Sequence, residues 1–412
     1  MDTYVRRVEA NSRYAISTEA MSGGNLPPEI MVEILQRLPP KSLVKFTTVC
    51  KSWNSLITDH AFISDHLDRT MQPHNGNSFL LLQLRRPTSR QPNVHADDYQ
   101  EFYSLFSDNR PCNSFSSERF SFTRLFRLYG YSTVVGTCNG LVCFAQHSII
   151  YFTTLIIWNP SLRKYVKLRK QIMARSNHNI ERVKYRLLYA FGFDSKNKDY
   201  KVVRLVTLNN EQDSPQVEVY SLASCSWRSI TVRVPLFFLP AHLQKIPHQM
   251  FVNGSVHWVV SRRYGSEVQN FVLSFNVVEE TFGELMLPRQ LNESASMLSI
   301  LEGGHLLAVL HTYSKKSIDF FSIWVMKEYG VVESWTEVLR CDLKRYGGIM
   351  TVLALTSRGK VVLRLCSGAI VLLDPMEDSV KSLGDQEYFH AFAGPYVESL
   401  FFINKKTDVL SY

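Results

Sequence analysis

The sequence predicts an α+β chain in two unequal parts: a small module of three helices, then an all-β domain built as a β-propeller of about six blades. Three observations carry this. Apolar residues recur at helical spacing between Leu26 and Leu67. Beyond that point, short runs rich in Val, Ile, Leu, Phe and Tyr alternate with turn residues. Within those runs, an apolar strand that turns and returns as a second strand recurs at six places. The spacing, roughly 50 residues, is that of propeller blades.

The elements follow in order. Residues 1–24 are polar and without periodicity, a flexible lead-in with no apolar signal segment. Residues 25–70 form the helical module. Pro27 and Pro28 suit a first helical turn, where a missing N–H costs nothing. Ile30, Ile34, Leu35 and Leu38 then recur at helical spacing, and Pro39 and Pro40 end the run. Ser42 is the expected cap of a second helix carrying Leu43, Phe46, Cys50, Trp53 and Ile57 on one stripe. Asp59 is the expected cap of a third, with Phe62, Ile63 and Leu67 inward. Three such helices hold too little core to stand alone. By period alone, their apolar faces fit a cap on the following domain as well as a docking surface for another protein.

Residues 71–77 are a polar joint, and 78–412 are the β domain. The six strand-and-return units are Phe102–Leu105, Ile156–Pro160, Val219–Leu222, Leu273–Asn276, Ser322–Val325 and Val371–Pro375. Between them lie Gly-centred turns: Cys138-Asn139-Gly140, Asn253-Gly254, Gly303-Gly304 and Ser357-Arg358-Gly359. Asn-Gly favours the type I′ turn, whose twist matches paired strands. Two hairpins give the four strands of a blade. The apolar run Val397–Ile403 is the expected strand that completes the first blade. A double-sheet sandwich is the alternative.

Composition narrows the function. The chain has 412 residues, with 46 Lys and Arg against 37 Asp and Glu, a net charge of +9. The excess is spread along the chain, a weak preference for acidic partners and no nucleic-acid signature. Its seven cysteines include no CxxC pair and no spacing that would bind zinc, so reduced thiols in an intracellular protein are expected. No apolar stretch is long enough to span a membrane. No GxSxG, HExxH or P-loop pattern occurs. No metal, cofactor or catalytic group is therefore expected.

The opening segment resembles the F-box of plant ubiquitin-ligase receptors. The matching residues are Leu26-Pro27, Glu29, Ile34-Leu35, Arg37-Leu38-Pro39, Lys41-Ser42-Leu43, Phe46, Val49-Cys50-Lys51, Trp53, Leu56-Ile57, Phe62 and His66-Leu67. Lys45 departs from the Arg common at its position. The remainder is similar to the plant F-box-associated domain of kelch-like and S-locus F-box proteins. The runs are Gly136–Cys143, Trp158-Asn159-Pro160-Ser161, Phe191–Asp194, Asp199–Arg204, Val219–Leu222, Ser226-Trp227-Arg228, Asn253-Gly254 with His257-Trp258, and Ile323–Met326 with Glu333–Thr336.

This resemblance implies a non-catalytic receptor of an SCF-type cullin-RING ubiquitin ligase, cytoplasmic or nuclear. The helices would bind a Skp-type adaptor, and through it cullin and RING subunits, while the β domain holds an unidentified target for ubiquitination and proteasomal degradation. The expected adaptor-binding residues are Leu26, Pro27, Ile30, Leu35, Leu38, Pro39 and Leu43. Cys50 and Trp53 either reach the same surface or pack inside the module.

Lys167, Arg169 and Lys170, in a basic stretch, are candidates for an acidic or phosphorylated target; a solvated loop is the plainer reading. Trp158, Trp227, Trp258, Trp324 and Trp335 read as blade packing, and His257 as a satisfied core residue. Target specificity is expected in blade-end loops, with Arg85–Asp98, Asn109–Glu118, Asn209–Pro215, Leu236–His248 and Arg262–Glu267 as candidates. Three other readings share parts of the pattern: a non-degradative scaffold or decoy, a pollen receptor for secreted ribonucleases, and an enzyme or glycan-binding propeller.

Overall fold

The computed structural model describes residues 27–72, 79–87, 99–106, 130–148, 153–168, 185–208, 215–239 and 249–411, apart from 266, 293–295, 304–305, 315–317, 343–348, 357, 384–387, 389 and 405–408. Four helical segments come first: α1 (Pro28–Gln36), α2 (Pro40–Phe46), α3 (Lys51–Ile57) and α4 (His60–Thr70). The expected second helix is thus present as two pieces. Thr47, Thr48 and Val49 are β-branched, and the Thr47 and Thr48 hydroxyls each donate to the carbonyl three residues back, Val44 and Lys45, at 2.7 Å. That local bonding competes with helix propagation. Ser42 is not a cap, because α2 begins two residues earlier, with Pro39 extended and Pro40 at the first helical position. Asp59 does cap α4; its carboxylate accepts from Ala61 and Phe62 N–H at 2.8 and 3.3 Å.

The rest is six antiparallel sheets. The first blade pairs β1 (Phe79–Pro87) with β2 (Tyr99–Phe106) and with β23 (His390–Tyr396) from the far end of the sequence. The second contains β3 (Gly130–Cys138), β4 (Leu141–Ser148), β5 (Thr153–Asn159) and β6 (Lys164–Lys167), extended by β24 (Val409–Ser411). The third is β7 (Tyr185–Asp194), β8 (Asp199–Leu208), β9 (Gln216–Ser221) and β10 (Ser226–Ile230). The fourth is β11 (Met250–Val252), β12 (Ser255–Tyr264), β13 (Glu267–Asn276) and β14 (Thr281–Met286). The fifth is β15 (Ser296–Gly303), β16 (Leu306–Ser314), β17 (Ile318–Met326) and β18 (Trp335–Asp342). The sixth is β19 (Ile349–Leu355), β20 (Val361–Leu365), β21 (Ile370–Asp374) and β22 (Ser379–Ser382). All six predicted strand-and-return units fall in or at the end of the third strand of a blade.

Inner strands adjoin around a closed ring, with the long second strand β12 taking this place beside the three-residue β11 in the fourth blade: β23 against β3, β3 against β7, β7 against β12, β12 against β15, β15 against β19, and β19 against β23. The sheets form a propeller, not a sandwich. One apolar cluster fills each gap between consecutive blades. Trp158 and Trp258 are fully buried in two of these gaps, Trp335 is buried in a third with Trp324 packed against the same cluster, and Trp227 packs against a fourth. The Trp258 indole donates to the Tyr189 carbonyl of the preceding blade at 3.2 Å, and Trp335 to that of Met286 at 3.0 Å.

The strand completing the first blade is His390–Tyr396, not Val397–Ile403. The latter run is a strap lying across the second blade. Asn159 donates to the Ser399 and Phe401 carbonyls at 3.0 and 2.6 Å, and Lys164 to those of Phe402 and Ile403 at 2.9 and 3.2 Å. Leu400, on the strap, is fully buried in the core of the helical module.

Strand direction sorts the connections into two ends. Turns from first to second strand, and from third to fourth, share the end that holds the strap and the helices. Connections from second to third strand, and from one blade to the next, leave from the opposite end.

Candidate functional site

The helical module is amphipathic on two sides. Val32 and Leu35 of α1 turn inward with Leu43, Leu56, Ile57, Phe62 and Leu400. Glu33 links α1 to α4, accepting from Arg69 at 2.8 Å and from Arg37 at 2.6 Å. Arg69 first, then Arg37, holds the Glu33 carboxyl below its usual range. His66 Nε2–H donates to the Leu38 carbonyl at 2.9 Å and anchors the end of α1; burial holds its ring below the usual imidazole range.

The other side of α1 is apolar and uncovered. Ile30 is 47% and Ile34 46% exposed, one turn apart on one face, with exposed Pro27 at the helix start. Val44 and Val49 are also exposed, as are Pro39 and Cys50. Cys50 starts α3, and its contact with the Ser52 hydroxyl at 3.1 Å, then the Trp53 N–H, holds the thiol below its usual range.

The expected interface residues therefore divide. Pro27, Ile30, Pro39 and Cys50 lie at the surface, with Leu38 half-buried. Leu35 and Leu43 are in the interior, 1% and 0% exposed, where they pack the module's own core instead of lying at its surface. Trp53 is half-buried; its indole N–H meets the Met31 sulfur at 3.1 Å and its ring packs edge-on against Phe46 at 5.3 Å, so it braces the module internally. Leu26 lies outside the described residues. Ile34, Val44 and Val49, which the expected set does not include, are exposed as well; the repeat of Ile at four-residue spacing is the sequence signal for Ile34.

A family model for the F-box domain matches residues 24–65, and one for the F-box associated beta propeller domain matches residues 97–403. The chain belongs to the F-box associated β-propeller family. It has relatives in Arabidopsis thaliana. An F-box/kelch-repeat protein is 29% identical, over 78% of this chain and 80% of the relative. An F-box protein is 28% identical, over 89% of each, and F-box protein CPR1 is 26% identical, over 93% and 90%.

In this F-box protein, Lys167 is the described member of the basic candidates, and it lies toward the propeller end opposite the F-box. Lys167 is an exposed residue at the end of β6 on that side. Arg169 and Lys170 lie outside the described residues, as do most of the candidate loops 85–98, 109–118, 209–215 and 236–248; the strands that flank 85–98 and 209–215 end on the far side, whereas β2, which precedes 109–118, ends on the side of the helices. Among the described residues no group of three or more His, Cys, Asp or Glu side chains is placed to hold a metal ion, the cysteines are free thiols, and no helix is long and apolar enough to cross a membrane.

His257 is a core residue, as expected. Its Nδ1–H donates to the Met250 carbonyl at 3.2 Å, leaving Nε2 to accept from the Tyr329 hydroxyl at 2.7 Å.

Proposed function

We propose that the chain is the substrate-recognition subunit of an SCF-type cullin-RING ubiquitin ligase. The observation that carries this reading is the uncovered stripe Pro27, Ile30 and Ile34 on α1, whose opposite face is already filled by the module's own core and by Leu400. An exposed apolar helix face beside a completed core is a surface for a partner. The F-box match identifies the kind of partner: a Skp-type adaptor, which brings cullin and RING subunits. Pro39, Leu38, Val44, Val49 and Cys50 extend that contact.

The propeller holds the target at its far end. Receptor and adaptor together raise the effective concentration of target lysines near a ubiquitin-conjugating enzyme, so the chain itself supplies binding and geometry and no chemistry. Ubiquitination and proteasomal degradation of the target, in the cytoplasm or nucleus, follow from this role.

The test is co-purification with a Skp-type adaptor. Truncating a central apolar anchor costs upwards of about 2 kcal/mol, so the double variant Ile30→Asp/Ile34→Asp is expected to lose the adaptor while its thermal unfolding stays near wild type. Adaptor binding at wild-type strength in the folded variant overturns the assignment.

A further inference from the structure

On the outer flank of the fourth blade, toward the far end, a groove of about 630 Å³ lies between β12, β14 and the segment 231–239 that arrives from the third blade. That segment is fixed by a reciprocal backbone pair: Phe238 N–H to Ser261 O at 2.7 Å and Ser261 N–H to Phe238 O at 3.1 Å. Three arginines, Arg233, Arg262 and Arg263, line the groove against one carboxylate, Glu284. Two apolar side chains rise at its edge, Leu236 at 55% and Tyr264 at 59% exposed.

Two of the arginines are held in place. Arg262 lies between Tyr264 and Phe271, its guanidinium carbon 5.2 and 4.7 Å from the ring centres. It also donates to Gln269 at 3.1 Å and to Glu284 at 2.6 Å. Arg263 sits over Phe238 at 5.3 Å. Side chains already ordered against rings lose less freedom when a ligand arrives.

We propose that this groove is a docking site for an acidic, extended segment of the target protein, one that carries Asp or Glu residues beside an aromatic or large aliphatic anchor. The proposal rests on the receptor reading above and adds the chemistry of the recognised segment. Charge complementarity selects the acid: three cations face one anion, and the Arg262–Glu284 pair shows the groove binding a carboxylate of its own. The exposed Leu236 and Tyr264 give an apolar anchor somewhere to pack. Because Arg262 and Arg263 are tied to different rings, their charges are spread along the groove. That suits separate carboxylates better than a single phosphate dianion. The groove has room for a few side chains and none for a folded domain.

The experiment uses the full chain purified with its adaptor and fluorescent peptides of repeating Asp-Asp-Phe, Asn-Asn-Phe, Asp-Asp-Ala and phosphoserine-phosphoserine-Phe units, read by anisotropy. Asp-Asp-Phe is expected to bind most tightly and to weaken as salt rises. Arg233→Gln/Arg263→Gln is expected to weaken it about ten-fold, as is Leu236→Ala/Tyr264→Ala. The exposed single change Arg233→Gln keeps the test valid should the double variant misfold.

Equal binding of Asn-Asn-Phe, or wild-type affinity in the folded arginine variants, overturns the proposal. Ten-fold tighter binding of the phosphoserine peptide overturns its choice of carboxylate. Adaptor capture is scored in the same preparations. Its loss in the wild-type chain, with peptide binding intact, counts against the receptor reading alone; intact capture with no groove binding counts against the groove alone.

Discussion

His257 is buried in the fourth blade with both ring nitrogens bonded, and burial pushes its pKa down to about 4 from an ordinary 6.5. The unfolded chain takes up this proton near pH 6.5 and the folded chain does not until about pH 4. The group therefore contributes stability that is present above pH 6.5 and is lost as pH falls toward 4, roughly 3 kcal/mol in all. In urea unfolding at a series of pH values, His257→Gln is expected to be the less stable protein at pH 7.5 and to close most of that gap by pH 4.5. A constant gap across the range would mean that the ring's titration contributes nothing. A second buried polar group joins the third blade to the fourth. Lys201 meets Asp194 at 2.6 Å and Glu280 at 2.9 Å, and Glu280 also pairs with Arg228. Burial raises the Asp194 carboxyl, but Lys201 and the Asn197 bonds outweigh it and hold the group below its usual range.

At the scale of elements, tight turns repeat with one chemistry. Asn159, Ser221, Asn276 and Asp374 each end a third strand, and each side-chain oxygen accepts a backbone N–H two or three residues on. Four residues on, Arg163, Cys225, Glu280 and Asp378 all take positive φ. This local pattern makes the third strands legible in the sequence, and Asn139-Gly140 and Asn253-Gly254, both positive in φ at each residue, mark turns from first to second strand. The two glycines differ in surroundings. A Cβ on Gly140 would meet the Ser399 side chain at 2.3 Å and the Val397 carbonyl at 2.7 Å, whereas one on Gly254 would meet nothing within 4 Å. Gly254→Ala is therefore expected to cost about 1 kcal/mol, from backbone strain alone. Gly140→Ala is expected to cost clearly more, because the strap must also move. Equal losses in denaturant unfolding would show that the strap yields freely.

Nonlocal elements were harder to read. His390–Tyr396 contains Gly394-Pro395, which looks like a break, yet it closes the ring as an inner strand paired to β1 on one side only, where a proline is tolerated. Val397–Ile403 is apolar and looks like a strand, but its side chains are spent on the helices and the second blade. In the helical module, period located α1 correctly. It could not tell which of two apolar faces the module fills for itself, so Leu35 and Leu43 were grouped with Ile30. That choice depends on Leu400, more than three hundred positions away in the sequence.

The whole molecule is a ring with a helical module fixed to one end and the arginine-lined groove toward the other. Its two halves are joined through the strap: Leu400 enters the helical core while Ser399, Phe401, Phe402 and Ile403 are bonded to the second blade, and Asn404 reaches the Thr58 carbonyl. Such a joint fixes the distance between the exposed stripe of α1 and the far end of the propeller; under the proposed function, that distance governs which target lysines come within reach. Leu400→Asp would bury a charge in the helical core at a cost of about 3 kcal/mol or more. Limited proteolysis is expected to cut the variant's helical module faster than wild type while the propeller stays resistant. Unchanged protection of the helices would show that the strap is not what joins the two parts.

The same strap sets an order of events during synthesis. The helices leave the ribosome first, but the leucine that completes their core leaves only after β1 to β23, the closing strand included, have been made. Until then the helices lack part of their interior, and the ring lacks His390–Tyr396. A chain interrupted anywhere in the propeller would carry the exposed stripe of α1 on an unfinished module; under the proposed function, only a finished chain presents a well-formed surface to the adaptor.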